Sequence, residues 1–138
     1  MRYDQIIILN ARRFIPLTST KMKRAELSLQ LKLKIGEDSI GPGKALLLKK
    51  VEETGSISAA ARDMGINYRR AWFLLETINK AIGQPCVITS KGGRNGGGAA
   101  LTQAGTAILT TYEDCRTAAD KTTATVLDRL HHTLCENE

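Results

Sequence analysis

The stretch GINYRRAWFLLETIN, residues 65–79, combines two adjacent arginines and three aromatic rings with the apolar spacing of a helix. Aromatic residues make up only 4% of the 138-residue chain, so this concentration calls for an explanation. A rotation of about 100° per residue separates an apolar face from a polar one. The apolar face consists of Ala71, Leu74, Leu75, Ile78 and Ile82; the opposite face consists of Arg69, Phe73, Glu76 and Lys80, with Arg70 and Trp72 at its flanks.

The two arginines occupy the first turn of this predicted helix. Free N–H groups and the helix dipole already favour negative charge there, so Arg69 and Arg70 act against the dipole. An anionic partner accounts for that choice, and an ordinary core helix with a charged side is the alternative. The stretch therefore favours a surface that contacts a polyanion.

Two shorter helices are predicted just before it. The segment KALLLKKVEETG is amphipathic and ends at Gly55, and Ser56 caps a second helix, ISAAARDMG, that ends at Gly65. Asn67 caps the third helix, which runs from Tyr68 to about Ile82. Small alanines and a glycine turn between the last two helices are typical of a helix-turn-helix, whose second helix enters the DNA major groove. A helical corner in an unrelated domain is the alternative.

Two β-prone segments flank the helices. Strict alternation in LSLQLKLKI, residues 27–35, predicts one half-buried strand, and GEDSIGPG then breaks the pattern. After the helices, short runs at residues 86–89 and up to Leu101 predict a hairpin whose glycine-rich tip carries Lys91 and Arg94. This tip has neither a P-loop nor a dinucleotide fingerprint. It predicts a wing along the DNA backbone, and a hairpin without DNA contact is the alternative.

In order and spacing, these motifs closely resemble the N-terminal winged-helix domain of the ModE-type molybdate-responsive transcriptional regulators, which is related to the DNA-binding domain of LysR-type regulators. The matching segments are ETGSISAAARDMGINYRRAWFLLETIN, residues 53–79, and GGRNGGGAALTQAG, residues 92–105, within a resemblance from about Leu29 to Tyr112. The resemblance implies a recognition helix that carries Tyr68, Arg69, Arg70 and Trp72, and a wing formed by residues 91–98. We assign the following residues to DNA contact: Ser56, Ser58, Asn67, Tyr68, Arg69, Arg70, Trp72, Lys91 and Arg94.

Members of that family continue into molybdate-binding domains, whereas this sequence ends at Glu138 after one helix. We therefore expect a DNA-binding protein without the sensing domain and without a cofactor. We also expect no thermal stabilisation by molybdate beyond that given by sulfate.

A long helix is predicted from Gln103 towards Leu134, capped by Thr102. Its length and the implied family point to a homodimer interface, and a helix folded back on its own domain is the alternative. The dimerisation set is Ile108, Tyr112, Cys115, Ala119, Val126 and Leu130. His131 and Cys135 are spaced to reach one metal ion, but no second pair completes a site, so we expect no metal.

Charge is distributed unevenly along the chain, whose net charge is +6. The segments carry different charges: +6 in residues 1–34, −1 in residues 35–61, +4 in residues 62–94 and −3 in residues 103–138. The basic segments fit a DNA partner, and the acidic last segment fits another role. Three cysteines without disulfide or CxxC spacing favour the cytoplasm, and no run is long enough for a membrane helix.

The predicted fold class is mainly α with a small β-sheet: a winged helix-turn-helix followed by a long dimerisation helix. We expect an N-terminal arm in residues 1–26, a DNA-binding domain in residues 27–102 and the long helix in residues 103–138. No arrangement of catalytic residues is evident, so an enzyme is not expected. The predicted function is sequence-specific DNA binding as a homodimeric transcriptional regulator. The alternative is an interaction module that pairs with a full-length regulator.

Overall fold

The computed structural model of the chain describes residues 27–92 and 97–136. The predicted N-terminal arm and the wing residue Arg94 lie outside these ranges. The described elements are four helices and four short strands, which is the mainly helical fold with a long last helix that the sequence predicts. In chain order they are β1 (Leu33–Ile35), β2 (Asp38–Ile40), α1 (Pro42–Thr54), α2 (Ile57–Asp63), α3 (Tyr68–Ile82), β3 (Val87–Thr89), β4 (Ala99–Leu101) and α4 (Gln103–Glu136).

The chain divides into two compact units. The larger unit, Ser28–Thr125, contains β1 to β4, α1 to α3 and most of α4. The end of α4, from Val126, belongs to the other unit.

The helix boundaries follow from the predicted caps. The Ser56 side chain accepts a hydrogen bond from the N–H of Ala59 at 3.2 Å, and Asn67 Oδ1 accepts one from the N–H of Arg70 at 2.8 Å. Each cap satisfies an N–H group that has no partner within its own helix. The predicted starts of α2 and α3 are therefore confirmed, and α2 ends at Asp63, two residues before Gly65.

The first strand is much shorter than predicted. Regular strand structure covers only Leu33–Ile35, although the alternation between half-buried and exposed side chains does extend from Leu31 to Ile35. The reason is the length of its partner, because β2 pairs only from Asp38 to Ile40 before Pro42 begins α1. The segment predicted as a break thus contributes a strand of its own, whose last residue, Ile40, is fully buried.

The core of the larger unit lies where α1, α2 and α3 meet. Ala60 and Ala61 are almost completely buried, and their small size permits the close approach of α2 to its neighbours. Cys86 from the start of the wing joins this core. The other buried apolar residues are Ile40, Ala45, Leu47, Leu48, Val51, Ile57, Ala71, Leu75, Ile78, Leu109 and Tyr112.

The start of α4 is fixed by Thr102. Its hydroxyl oxygen accepts a hydrogen bond from the N–H of Gly105 at 3.1 Å, and the hydroxyl donates to the carbonyl of Pro85 at 2.7 Å. One residue therefore caps the helix, as predicted, and joins it to the segment before β3. No helix among the described residues is both long and apolar enough to cross a membrane.

Candidate nucleic-acid interface

The outer face of α3 carries a row of exposed basic and aromatic side chains. Arg69 and Arg70 are exposed in the first turn, and Tyr68 and Phe73 are 50% and 53% exposed. The buried face of the same helix provides Ala71, whose side chain is inaccessible to solvent. The predicted division of α3 into a core face and an outer face is confirmed.

The positive charge on this face has no carboxylate partner within the described part of the chain. The ion pairs found there are Lys49–Glu113 and Lys50–Glu53, each at 2.9 Å, and His132 Nδ1 lies 3.9 Å from a carboxylate oxygen of Glu136. None involves an arginine of α3. Arg69 and Arg70 therefore present their donors outward, as recognition of phosphate or of a guanine edge requires.

Ring contacts order the aromatic side chains of α3. Tyr68 and Trp72 pack edge to face, with ring centroids 6.1 Å apart. The Arg70 guanidinium carbon lies 5.4 Å from the centroid of the Phe73 ring, within cation–π range. The predicted site residues Tyr68 and Trp72 thus pack against each other. Arg70 contacts Phe73, which was not assigned to the site.

The wing is a two-stranded antiparallel hairpin, as predicted. Val87 pairs with Leu101 and Thr89 with Ala99. Beyond the strands, the N–H of Ser90 donates to the carbonyl of Gly98 at 2.9 Å, and the Ser90 hydroxyl accepts from the N–H of Gly98 at 3.2 Å. These bonds continue the hairpin by one residue, and Lys91 follows as an exposed side chain.

Two hydrogen bonds join the base of the wing to the helices. The N–H of Ala99 donates to the carbonyl of Gly55, the C-cap of α1, at 2.8 Å. The N–H of Cys86 donates to Asn79 Oδ1 on α3, also at 2.8 Å. The wing is therefore held against the end of α1 and against α3. Gly55 and Asn79 have this role without having been assigned to the site, because their contacts depend on how separate elements pack together.

A groove of about 230 Å³ lies between the starts of α2 and α3 and the wing. It brings together four predicted site residues from different segments: Ser56, Ser58, Tyr68 and Trp72. The wing side is formed by Thr89, Ser90 and Gly97 to Ala99. Asn67, Arg69, Arg70 and Lys91 do not line this groove, and Arg94 is outside the described residues. The hydroxyl groups in the groove provide donors suited to a phosphate oxygen.

The predicted dimerisation residues occupy different environments. Tyr112 is 3% exposed within the core of the larger unit, and its hydroxyl donates to the carbonyl of Leu31 at 2.9 Å. Ile108 is half-buried against the same core. Cys115 is exposed and Ala119 is half-buried, so the first part of this set mixes core and surface.

At the end of α4, by contrast, apolar side chains are exposed with helical spacing. Val126, Leu130 and Leu134 are 52%, 45% and 47% exposed. Four-residue steps place them on one side of the helix. Dimerisation stays a prediction. Val126 and Leu130 belong to the predicted set, and Leu134 extends the same exposed apolar row.

The chain is similar to molybdenum-related regulators and binding proteins. It is 38% identical over 92 residues to the transcriptional regulator ModE of Haemophilus influenzae, which is 67% of this chain and 36% of the relative. It is also 38% identical over 92 residues to the DNA-binding transcriptional dual regulator ModE of Escherichia coli, covering 65% of this chain and 34% of the relative. The molybdenum-pterin-binding protein MopB of Rhodobacter capsulatus is 41% identical to it over 73 residues, which cover 53% of this chain and 27% of the relative.

The homologues are ModE regulators and molybdenum-pterin-binding proteins. The chain spans about a third of the length of these curated relatives. No protein-family model matches the chain.

Proposed function

We propose that this chain is a sequence-specific transcriptional regulator that binds duplex DNA as a winged helix-turn-helix homodimer. The observation that carries the proposal is the pair of exposed arginines, Arg69 and Arg70, at the start of α3, beside a wing hydrogen-bonded to the same helix through Asn79. The similarity to ModE regulators supports it independently.

Each part of this surface has a distinct task in the proposal. With α3 in the major groove, an arginine of its first turn donates two hydrogen bonds to O6 and N7 of a guanine. Lys91 on the wing contacts the phosphate backbone, and the Ser58 hydroxyl contacts a phosphate at the start of α2. The base contacts select the sequence, whereas the phosphate contacts hold the protein in place.

The homodimer relates two such surfaces by a twofold axis, so the preferred DNA site is a palindrome. The apolar residues Val126, Leu130 and Leu134 form its contact in this proposal. Their exposure on one side of α4 supports this use, since stable interfaces have an apolar centre.

The test begins with selection of bound duplexes from a random-sequence pool, followed by affinity measurements on the selected site. Arg69→Ala or Arg70→Ala should weaken binding by about 1–3 kcal/mol and relax the preference at one base pair. Lys91→Ala, alone and with Arg94→Ala, should weaken all sequences alike and reduce the salt dependence. Lys121→Ala, on the exposed surface of α4, is the matched control and should change neither.

The DNA affinity could instead fall equally, and for every sequence alike, when any of the four basic side chains is removed. That result would contradict sequence reading by α3 in the major groove. A chain that enriches no duplex but forms heterodimers with a full-length relative would support the interaction module instead.

A further inference from the structure

Phe73 is an apolar side chain in a position that the core does not explain. It is 53% exposed on the outer face of α3, one turn after the arginines. Tyr68 is equally exposed, but its hydroxyl gives it a polar group to present to solvent. Phe73 has no such group, so its exposure leaves an apolar ring in water next to a cationic surface.

The ring does not stand alone, because Arg70 lies over it. The two residues are three apart on α3 and therefore neighbours on the helix surface. The distance of 5.4 Å between the guanidinium carbon and the ring centroid is within the range of a cation–π contact. No carboxylate of the described residues draws Arg70 away. Arg70 and Phe73 therefore form one pair with a polar and an apolar end.

The DNA major groove offers a matching pair of features. Guanine presents O6 and N7 to an arginine, and the C5-methyl of thymine is the apolar group that a phenylalanine contacts. Successive nucleotides along a strand are about 3.4 Å apart. A ring 5.4 Å from a guanidinium that contacts guanine therefore reaches the neighbouring base pair.

We infer that Phe73 contacts the methyl group of a thymine in the base pair next to a guanine read by Arg70. This inference rests on the proposed function and adds to it the composition of each half-site: a thymine beside a guanine. Phe73 is then a specificity residue, and its exposure in the unbound protein is explained by the methyl group that covers it in the complex.

The experiment replaces thymine by deoxyuridine in the selected duplex, which removes only the methyl group and keeps base pairing. For the wild-type chain, replacement of this thymine in one half-site should weaken binding about fourfold, as expected for about 0.8 kcal/mol per buried methylene-sized group. Phe73→Ala should bind the two duplexes equally. Lys80→Ala, on the same exposed face near the other end of α3, is the control and should keep the fourfold ratio.

Since the wild-type protein is compared on two duplexes, this first comparison does not depend on the folding of a variant. A thermal unfolding curve of Phe73→Ala close to that of the wild type then validates the second comparison. A selected site without thymine beside guanine, equal affinity of the wild type for both duplexes, or an undiminished ratio in Phe73→Ala overturns the inference alone. Failure to select any sequence overturns the proposed function itself.

Discussion

Gly105 in the first turn of α4 faces the backbone at the start of the wing. A Cβ at this position would collide with the carbonyl oxygen of Cys86 and lie 3.0 Å from its carbonyl carbon. Backbone atoms cannot move aside as a flexible side chain does. The absence of a side chain at Gly105 is therefore required for α4 to begin against the wing.

Gly105→Ala should accordingly destabilise the fold by about 1–3 kcal/mol, as overpacking does, despite the better helix propensity of alanine. Gly43→Ala is the matched control, since it also lies in the first turn of a helix but has open space around it. It should be neutral or stabilise by up to about 1 kcal/mol. Urea unfolding of both variants measures the difference, and equal stabilities would contradict the close contact.

Cys86 makes the stability of the fold sensitive to alkaline pH. Burial raises the pKa of its thiol from 9.0 to about 11. Because the pKa in the folded state is the higher one, the thiol contributes its full stabilisation below pH 9. The unfolded chain ionises first as the pH rises, so this contribution is lost between about pH 9 and 11.

The wild type should therefore lose more stability between pH 8 and pH 10 than Cys86→Ala does. Urea unfolding at the two pH values measures this, and the exposed thiol supplies the control variant, Cys115→Ala. Cys115→Ala should follow the wild type. Identical pH dependence in wild type and Cys86→Ala would show that the Cys86 thiol does not titrate differently in the two states.

At the scale of the elements, local signals predict the helices better than the strands. Ser56, Asn67 and Gly83 mark helix ends through their own side chains or backbone, so neighbouring residues suffice to place α2 and α3. The extent of β1 depends on how far β2 runs beside it, and alternation within one segment contains no information about its partner. The β1 prediction was too long for this reason.

The cap of α3 allows folding to be separated from DNA binding. Asn67→Ala should cost about 1 kcal/mol of stability, because the N–H of Arg70 loses its acceptor. Asn67→Asp should retain the stability, since aspartate also caps and its charge suits the helix N-terminus. Its negative charge should nevertheless weaken binding to DNA phosphates.

The two measurements are urea unfolding and affinity for the selected duplex. Unchanged DNA affinity in Asn67→Asp would place the start of α3 away from the nucleic acid. Ser56→Ala offers a comparison on α2, where the same loss of an acceptor is expected to lower stability.

At the scale of the whole molecule, the apolar end of α4 predicts the oligomeric state. Leu130→Glu should convert a homodimer into a monomer, because it places a charge in the apolar row formed with Val126 and Leu134. His132→Glu adds the same charge about 200° around the helix and should leave the dimer intact. Sedimentation at micromolar concentration distinguishes the two results. A monomeric wild type would contradict the interface.

How the site is assembled is also a property of the whole molecule. The arginines of α3 and the lysine of the wing are evident from composition and spacing. The bond from Ala99 to Gly55 and the groove that joins Ser58 to Ser90 are not, since they link segments more than thirty residues apart. Similarly, Tyr112 has the spacing of an interface residue, but a distant carbonyl at Leu31 gives its hydroxyl a partner inside the core.

The connection between the wing and α4 is a single residue, Thr102, which is fixed by hydrogen bonds. With β4 ending at Leu101 and α4 beginning at Gln103, this single residue is hydrogen-bonded to both sides. One extra base pair between the halves of a palindrome rotates them by about 35° and separates them by about 3.4 Å. A flexible linker between the wing and α4 would absorb that change, whereas a connection fixed by these hydrogen bonds would not. For the proposed homodimer we therefore expect binding to tolerate substitutions in the spacer of the palindrome but not a change in its length.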